Sequence, residues 1–510
     1  MQSWVVALSI IAAYLILTLL LGAIANRRMR VDLEDFLLYG RKAGFVVLYL
    51  SVVATYHSAF AFLGSSGFFY THGIGFWDAG TWTIMVGAIT YIFGTRIWAL
   101  GKKFGYMTPA DMLADFYESE IVRVVVAAIS ILFTILYIQV QAQGLGYIIS
   151  AASGDRISFE LATAILLTVV ATYLMAGGLR AVYWTDVLQG VWMYAAVWIG
   201  ALVLAYKLFG GPLGLWKAVE AQRPDLLTLP GPEGFFTYPM WFGMMVTLSF
   251  GIVFQPHIFI RYYTAVSART IKWLGATTPL FLMSLYIPTA LVGLGGALAM
   301  PEIAIADRIF PELLFSYAPA WLTGIILAGA TAAAMSTLDS ILHANATVLT
   351  RDIYQRYLRA EAPRAHYVNV SRAFIVAFLL IGYLLSVTTF EYLVILVTLS
   401  GAGALQLMPA IVGVTLPSKI RYTATGVLAG IAVGLVTLFF TLIVWPHPLT
   451  LHGGVWAIVA NWLVAWLVSR FTQAPSAATV NRIHGTIEEL IYGRAQQAEE
   501  ATPPPAEATF

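Results

Sequence analysis

Windows of about 20 consecutive apolar residues, the length that crosses a bilayer as a helix, recur along this chain from one end to the other. They fall near residues 4–25, 44–71, 77–101, 121–150, 157–177, 181–207, 237–258, 272–299, 319–348, 369–388, 391–415, 423–445 and 453–471. Backbone inside hydrocarbon must satisfy its own polar groups, so each window is expected to be a helix. No soluble domain interrupts them, and the pattern predicts an all-α integral membrane protein with about 13 transmembrane helices. Composition agrees: 11% of the 510 residues are charged, against about 25% in soluble domains. The first window, Trp4 to Ala25, is too long for a signal-peptide core and follows no basic stretch. It is expected to be a retained helix.

The net charge is +2 and no basic stripe occurs, so no nucleic-acid partner is expected. Absence of cysteine excludes disulfides, thiolate metal sites and cysteine nucleophiles. Lys and Arg set the orientation. Arg27, Arg28, Arg30, Arg41, Lys42, Lys102 and Lys103 occupy the first and third loops, and Arg261, Arg269, Lys272, Arg351, Arg356, Arg359, Arg364, Lys419, Arg421, Arg470 and Arg482 later loops of the same parity or the tail. Only Arg156, Lys207, Lys217, Arg223 and Arg308 fall on the other side. The bias predicts a multi-pass protein of the cytoplasmic (inner) membrane, N-terminus outside and C-terminus inside. In the tail, Val480 to Gln497 is expected to form a short amphipathic helix, and Pro503–Pro505 to be disordered.

Polar residues inside apolar windows are costly and mark sites by default. Ala332-Ala333-Ala334-Met335-Ser336-Thr337-Leu338-Asp339-Ser340 brings three hydroxyls and a carboxylate together within the ninth window, oxygen donors suited to a hard cation such as sodium. In the second window Thr55, Tyr56, His57 and Ser58 form an unbroken polar run. Consecutive residues cannot share one helix face. A local break would expose carbonyls to an ion and N–H groups to a substrate anion, whereas a continuous helix would bond the hydroxyls back to its own carbonyls. The seventh window carries a second interruption, Ser249-Phe250-Gly251-Ile252-Val253-Phe254-Gln255-Pro256-His257. Two interrupted helices five apart point to inverted repeats around a midplane site. On the fourth helix the alternating Gln139, Gln141 and Gln143 cannot all face one cavity, so one is expected to line a pocket and the others to bond between helices. Asp186, at the start of the sixth helix, either caps that helix or reaches an ion path. His57 either contributes only its carbonyl or turns its ring to the cavity, where it would titrate near neutral pH.

With Gly177-Gly178-Leu179-Arg180-Ala181-Val182, Trp184-Thr185-Asp186, Gln255-Pro256-His257-Ile258 with Arg261, and Ala333–Thr337 followed by Asp352-Ile353-Tyr354, the chain resembles the sodium:solute symporter family from about residue 4 to 471. The resemblance implies a 5+5 inverted-repeat core of the leucine transporter type, with one helix before it and two after. It divides the chain into an N-terminal helix and loop (1–43), a first repeat (44–208), an extracellular loop (209–236), a second repeat (237–416), two further helices (417–472) and a cytoplasmic tail (473–510).

The resemblance further implies a sodium site made by the carbonyls of Ala54, His57 and Ala333 and the hydroxyls of Ser336 and Thr337. Asp186, Ser336 and Ser340 match the second cation site of some members, but Asp339 takes a serine position there, and the two carboxylates would either bind a cation more strongly or share a proton. Tyr56 replaces the acid of proline-transporting members, and Leu248 and Ile252 their aromatic gate, so proline is disfavoured. Tyr56, Ser58, Gln141, Leu248, Ile252 and Gln255 are the candidate substrate contacts. The expected function is sodium-coupled import of a small organic solute, a monocarboxylate or amino acid, by a chain that suffices as a monomer in the lipid bilayer. No cofactor beyond the coupling Na+ and no enzymatic activity are expected. Proton-coupled uptake and a transporter-like sensor are the alternatives.

Overall fold

The computed structural model describes residues 3–27, 33–388, 392–417 and 421–493. Arg28, Arg30, Lys419, Gln497 and Pro503–Pro505 lie outside them. Among the described residues the structure is helical, with a single isolated bridge between Ala43 and Ala265.

The helices follow the hydrophobic windows. α1 is Ser3–Arg27, α2 Phe45–Tyr56 and α3 Ser65–His72, which a π-helical stretch, Phe60–Gly64, precedes. α4 (Asp78–Ile89) opens a helical run continuing to Phe104, and α5 (Glu120–Ala152) and α6 (Phe159–Phe209) complete the first half. α7 (Tyr238–Val253) and α8 (Pro256–Thr264) are two parts of one bent helix, followed by α9 (Ala268–Ala299), α10 (Ala320–Val348) and α11 (Arg364–Thr388). Then come α12 (Leu393–Leu405), α13 (Met408–Thr415), α14 (Ala424–Phe439), α15 (Gly453–Ser469) and, in the tail, α16 (Ala477–Ile487). Ser119, Ser158, Thr237, Ser267, Thr423 and Ser476 each accept the N–H three residues ahead, which answers one of the free donors at the start of α5, α6, α7, α9, α14 and α16.

Among the described residues, eight helices are long and apolar enough to cross a membrane, or ten with each bent pair taken as one. Two of them are double length, Phe60–Phe104 with 45 residues and Phe159–Phe209 with 51. The first turns at Gly73–Trp77, and the second divides at Gly178, whose φ of 54° and ψ of −148° are non-helical. A Cβ there would also lie 2.5 Å from the Phe36 ring, so only glycine fits the bend. Counting each double-length helix as two crossings and adding α15 gives the thirteen expected crossings.

α10 is the centre of the molecule: every residue from Ile326 to Val348 is buried. It packs on α1, α5 and α6. Large apolar side chains on the rim, among them Ile16, Leu20, Leu132, Leu280, Val436 and Ile443, are exposed as a lipid-facing surface requires. α7 and α12 cross so closely that a Cβ on Gly251 would meet the Gly401 carbonyl at 2.2 Å. In the tail, the helix begins and ends earlier than expected, at Ala477 rather than Val480, and its last turn, Glu488–Tyr492, is π-helical.

Candidate functional site

α2 ends at Tyr56 because His57 adopts φ −93° and ψ 103°, outside helical space, and the chain turns helical again at Ala59. The polar run thus breaks the helix rather than bonding back along it. The break frees donors on one side and acceptors on the other, and neighbouring helices answer both. Ala59 N–H donates to Gln141 Oε1 at 3.0 Å, and Phe60 N–H to Ser58 Oγ at 3.1 Å. On the acceptor side, Ser336 Oγ donates to the Ala54 carbonyl at 2.9 Å and the Ala333 carbonyl at 3.0 Å. Thr337 Oγ1 donates to the Thr55 carbonyl at 2.9 Å.

Five of these oxygens, three carbonyls and two hydroxyls, therefore converge between the end of α2 and the middle of α10, all of them buried. Ala54, Ala333, Ser336 and Thr337 stand together as expected. The His57 carbonyl takes no part in the bonds to these hydroxyls, and Thr55, not foreseen as a ligand, supplies the further carbonyl. Its signal was available in the sequence, since it opens the polar run Thr55–Ser58 that breaks the helix. Oxygens alone, with no thiolate or imidazole among them, are a donor set for a hard cation such as Na+.

The His57 ring turns back on its own helix, Nδ1 donating to the Val53 carbonyl at 2.9 Å, and packs 5.3 Å from the Phe281 ring. The second break is also present. Gln255 has φ −65° and ψ 144°, Pro256 starts α8, and α7 and α8 bend by 48°. Gln255 Nε2 donates to Ser400 Oγ at 2.9 Å. α12 and α13 bend by 47° at a third break.

Asp186, Ser340 and Asp339 do not form one open pocket. Asp186 and Ser340 meet around the buried guanidinium of Arg261, with Asp186 Oδ2 2.9 Å from Arg261 Nη2. Asp339 is held apart by Tyr173, whose hydroxyl donates to it at 2.5 Å. Asp186 is therefore paired in the interior and does not cap a helix.

Near the α2 break, Tyr137 Oη donates to Ser58 Oγ at 3.2 Å and its ring lies 5.8 Å from that of His257. Phe60 stands 6.5 Å from Phe76, 6.4 Å from Trp82 and 6.4 Å from Tyr286, forming an aromatic group beside Tyr56 and Ser58. Trp82 and Tyr286 were not anticipated; as aromatics with polar tips inside apolar windows they carried a signal. Leu248 and Ile252 are buried on α7.

The end of the bundle beside the tail helix carries a cluster of charges. Arg123 contacts Asp111 at 2.7 Å, Asp352 at 3.1 Å and Glu120 at 3.1 Å, and Thr108 Oγ1 donates to Asp352 at 3.1 Å. An open cavity of about 610 Å³ lies outside this cluster, bounded by Asp115, Glu118, Arg351 and the tail residues Thr479 and Arg482.

The model of the sodium:solute symporter family matches residues 36–434. The chain belongs to this family. It is 27% identical over 500 residues to the sodium/proline symporter of Escherichia coli (strain K12), covering 92% of this chain and 94% of the relative. It is 25% identical to the sodium/pantothenate symporter of the same organism over 92% of this chain and 97% of the relative. Its fold is similar to that of a Na+-coupled sialic acid symporter solved in a substrate-bound outward-open state, with a TM-score of 0.79 at 18% identity, over 92% of this chain and 99% of the other. The symporter is thus a multi-pass membrane protein with the inverted-repeat core of the leucine transporter type.

Proposed function

We propose that this symporter imports a small organic acid, a monocarboxylate or an amino acid, across the cytoplasmic membrane with sodium, its N-terminus outside and its C-terminus inside. The observation that carries the reading is the cluster of Ala54, Thr55 and Ala333 carbonyls with the Ser336 and Thr337 hydroxyls. A dehydrated cation at that point would join the broken α2 to α10. An ion that binds only when these elements are together raises substrate affinity in the same state, and the effect is reciprocal. One positive charge crossing about 100 mV supplies roughly 2.3 kcal/mol before any concentration ratio is added.

The carboxylate preference has two supports. Proline, pantothenate and sialic acid, the solutes for which the similar proteins are named, are all carboxylic acids. The start of the helical stretch after the break presents N–H groups at Ala59 and Phe60 beside Tyr56, Ser58 and Gln141, and helix starts favour anions. Gln141 and Ser58 cap these groups, so a substrate carboxylate would displace or share those bonds. Gln255, Leu248 and Ile252 would form the opposite wall.

The test is uptake of labelled short-chain acids and amino acids into proteoliposomes under separately imposed Na+ and H+ gradients. Accumulation that follows the Na+ gradient is expected. Accumulation that follows only the H+ gradient and ignores sodium would overturn the reading.

A further inference from the structure

At the end of the α14–α15 pair opposite the tail helix, residues 445–452 join the π-helical stretch Phe440–Val444 to α15. His447, Leu449 and Thr450 hold φ of 50°, 55° and 58°, left-handed backbone that residues other than glycine rarely adopt. This strained turn sets two imidazoles side by side, the His447 and His452 ring centroids 5.2 Å apart. Each ring is fixed through Nδ1. That of His452 accepts from the Gly454 N–H at 3.1 Å and from Thr247 Oγ1 on α7 at 3.1 Å, and that of His447 accepts from the Gly453 N–H at 3.3 Å. A ring nitrogen that accepts carries no proton, so each neutral ring carries it on Nε2 and has an N–H to offer there. Burial lowers both rings, His452 to about 3, and they stay neutral at working pH.

Both rings line a cavity of about 320 Å³ beside α7 and α12, whose other walls include Met244, Leu396, Leu399 and Ile443. The cavity reaches the outer surface of the bundle. Ile443 on its wall is 64% exposed and Ile395 40%, among the apolar side chains turned to lipid. We infer that this cavity binds a diacyl lipid of the membrane, one acyl chain against α7 and α12 and its ester carbonyl accepting from the Nε2–H groups of His447 and His452. Two neutral donors over apolar walls suit a carbonyl oxygen, whereas a carboxylate or phosphate would be desolvated there without a counter-charge. Thr247 and Met244 belong to the half-helix that ends at the Gln255 break, and a Cβ on Gly243 would lie 2.7 Å from His452 Cβ. The lipid is thus held against one of the two broken helices.

The test uses the purified full-length protein in vesicles of ether-linked dialkyl phosphatidylcholine, which has no ester carbonyl. Trace phosphatidylcholine carrying a diazirine on one chain is added with either ester or ether links, and crosslinked peptides are mapped by mass spectrometry. The ester probe is expected to label residues 395–399 and 442–443 about tenfold more than the ether probe. On the outer face of α14, around the exposed Val436, the two should label alike. His447→Phe, which keeps a ring and removes the donor, should erase most of the difference. Leu399→Trp, which fills the cavity, should bring labelling there by both probes down to the level of α14. Equal labelling of the wild-type cavity by ester and ether probes overturns the inference, whether or not either variant folds. So does ester labelling that excess oleate abolishes and excess dioleoyl phosphatidylcholine leaves intact, since the occupant is then a free fatty carboxylate. Neither sodium nor transport enters the measurement, so its result stands apart from the proposed function.

Discussion

Ser336→Ala tests whether the meeting of α2 and α10 is an ion site or only a packing contact. The hydroxyl touches two carbonyls, Ala54 at 2.9 Å and Ala333 at 3.0 Å, and is fully buried. As a packing contact it is worth about 0.5–1.5 kcal/mol, with up to about 3 kcal/mol more if the Ala54 carbonyl is left unanswered. That loss would appear in thermal stability and leave the sodium dependence of transport alone. As an ion ligand it contributes about 1.5–3 kcal/mol, the range of hydrogen-bond-like contacts to a charge. This is roughly 10- to 150-fold in the sodium concentration that half-saturates uptake. Thr331→Ala, on the same helix, is the control. Its hydroxyl donates only to its own helix, the Leu327 carbonyl at 2.9 Å, so it loses similar chemistry without touching α2. Uptake into proteoliposomes at graded sodium is the assay. A half-saturating concentration in Ser336→Ala that matches Thr331→Ala would refute the assignment. A rise confined to the first variant supports it, and the apparent substrate affinity measured at low sodium should fall with it.

Asp307, in the loop before α10, is buried and its carboxyl is pushed up to about 7 by that burial, against which the Leu393 N–H, donating to it at 3.0 Å, acts. Because the folded value exceeds the ordinary one, the protonated acid stabilises this contact below about pH 4, and that contribution is lost as pH rises through about 7. Melting of the wild-type protein should therefore fall between pH 5 and 8, and Asp307→Asn should flatten the profile. Glu118 accepts from Ser476 Oγ and Thr479 Oγ1, both at 2.6 Å, and these hydroxyls hold its carboxyl below the usual range. Its contribution is present above the ordinary value near 4.5 and lost as pH falls through the lower folded value, so acidification or Glu118→Gln should speed amide exchange across Ala477–Ile487. Arg123→Met strips the buried Asp352 of its cation, a loss of about 3–5 kcal/mol for a one-sided break. Since the chain has no native cysteine, Ala344→Cys can report the result: its maleimide labelling from the cytoplasmic side should accelerate in Arg123→Met, and equal rates would argue against a closing role.

Helix number, both chain breaks and four of the five oxygens that cluster between α2 and α10 were legible because each is local. An apolar window, a proline and a run of adjacent polar side chains dictate structure within a few residues. What was not legible depends on register between distant segments. Asp186 and Arg261 are 75 positions apart, and Thr55 and Ser340 285. Nothing in the spacing along the chain says that a guanidinium from beyond the seventh-helix break would reach them. The same limit applies to His57. The sequence leaves open whether its ring turns to the cavity, and the ring turns back onto its own helix, with Nδ1 donating to the Val53 carbonyl. The aromatic group of Phe60, Phe76, Trp82 and Tyr286 draws on four separate segments and so escaped a reading that searched one helix at a time.

Thr55 shows how the two halves of the molecule act on one another. Its carbonyl accepts from Thr337 on α10, while its hydroxyl accepts from Arg261 on α8 and lies 3.0 Å from Ser340. A single residue at the end of α2 is thereby bonded on its main-chain side to α10 and on its side-chain side to α8, beyond the Gln255 break. Inside a bilayer these bonds cannot be traded for water at little cost, so they form or break together. Any motion that carries α2 away from α10 must either empty the hydroxyl–carbonyl cluster or pull Thr55 from Arg261. An ion that held the first contact would consequently bias the position of α8, and with it the Gln255 break. The coupling needs no long pathway, only one threonine with a partner on each side.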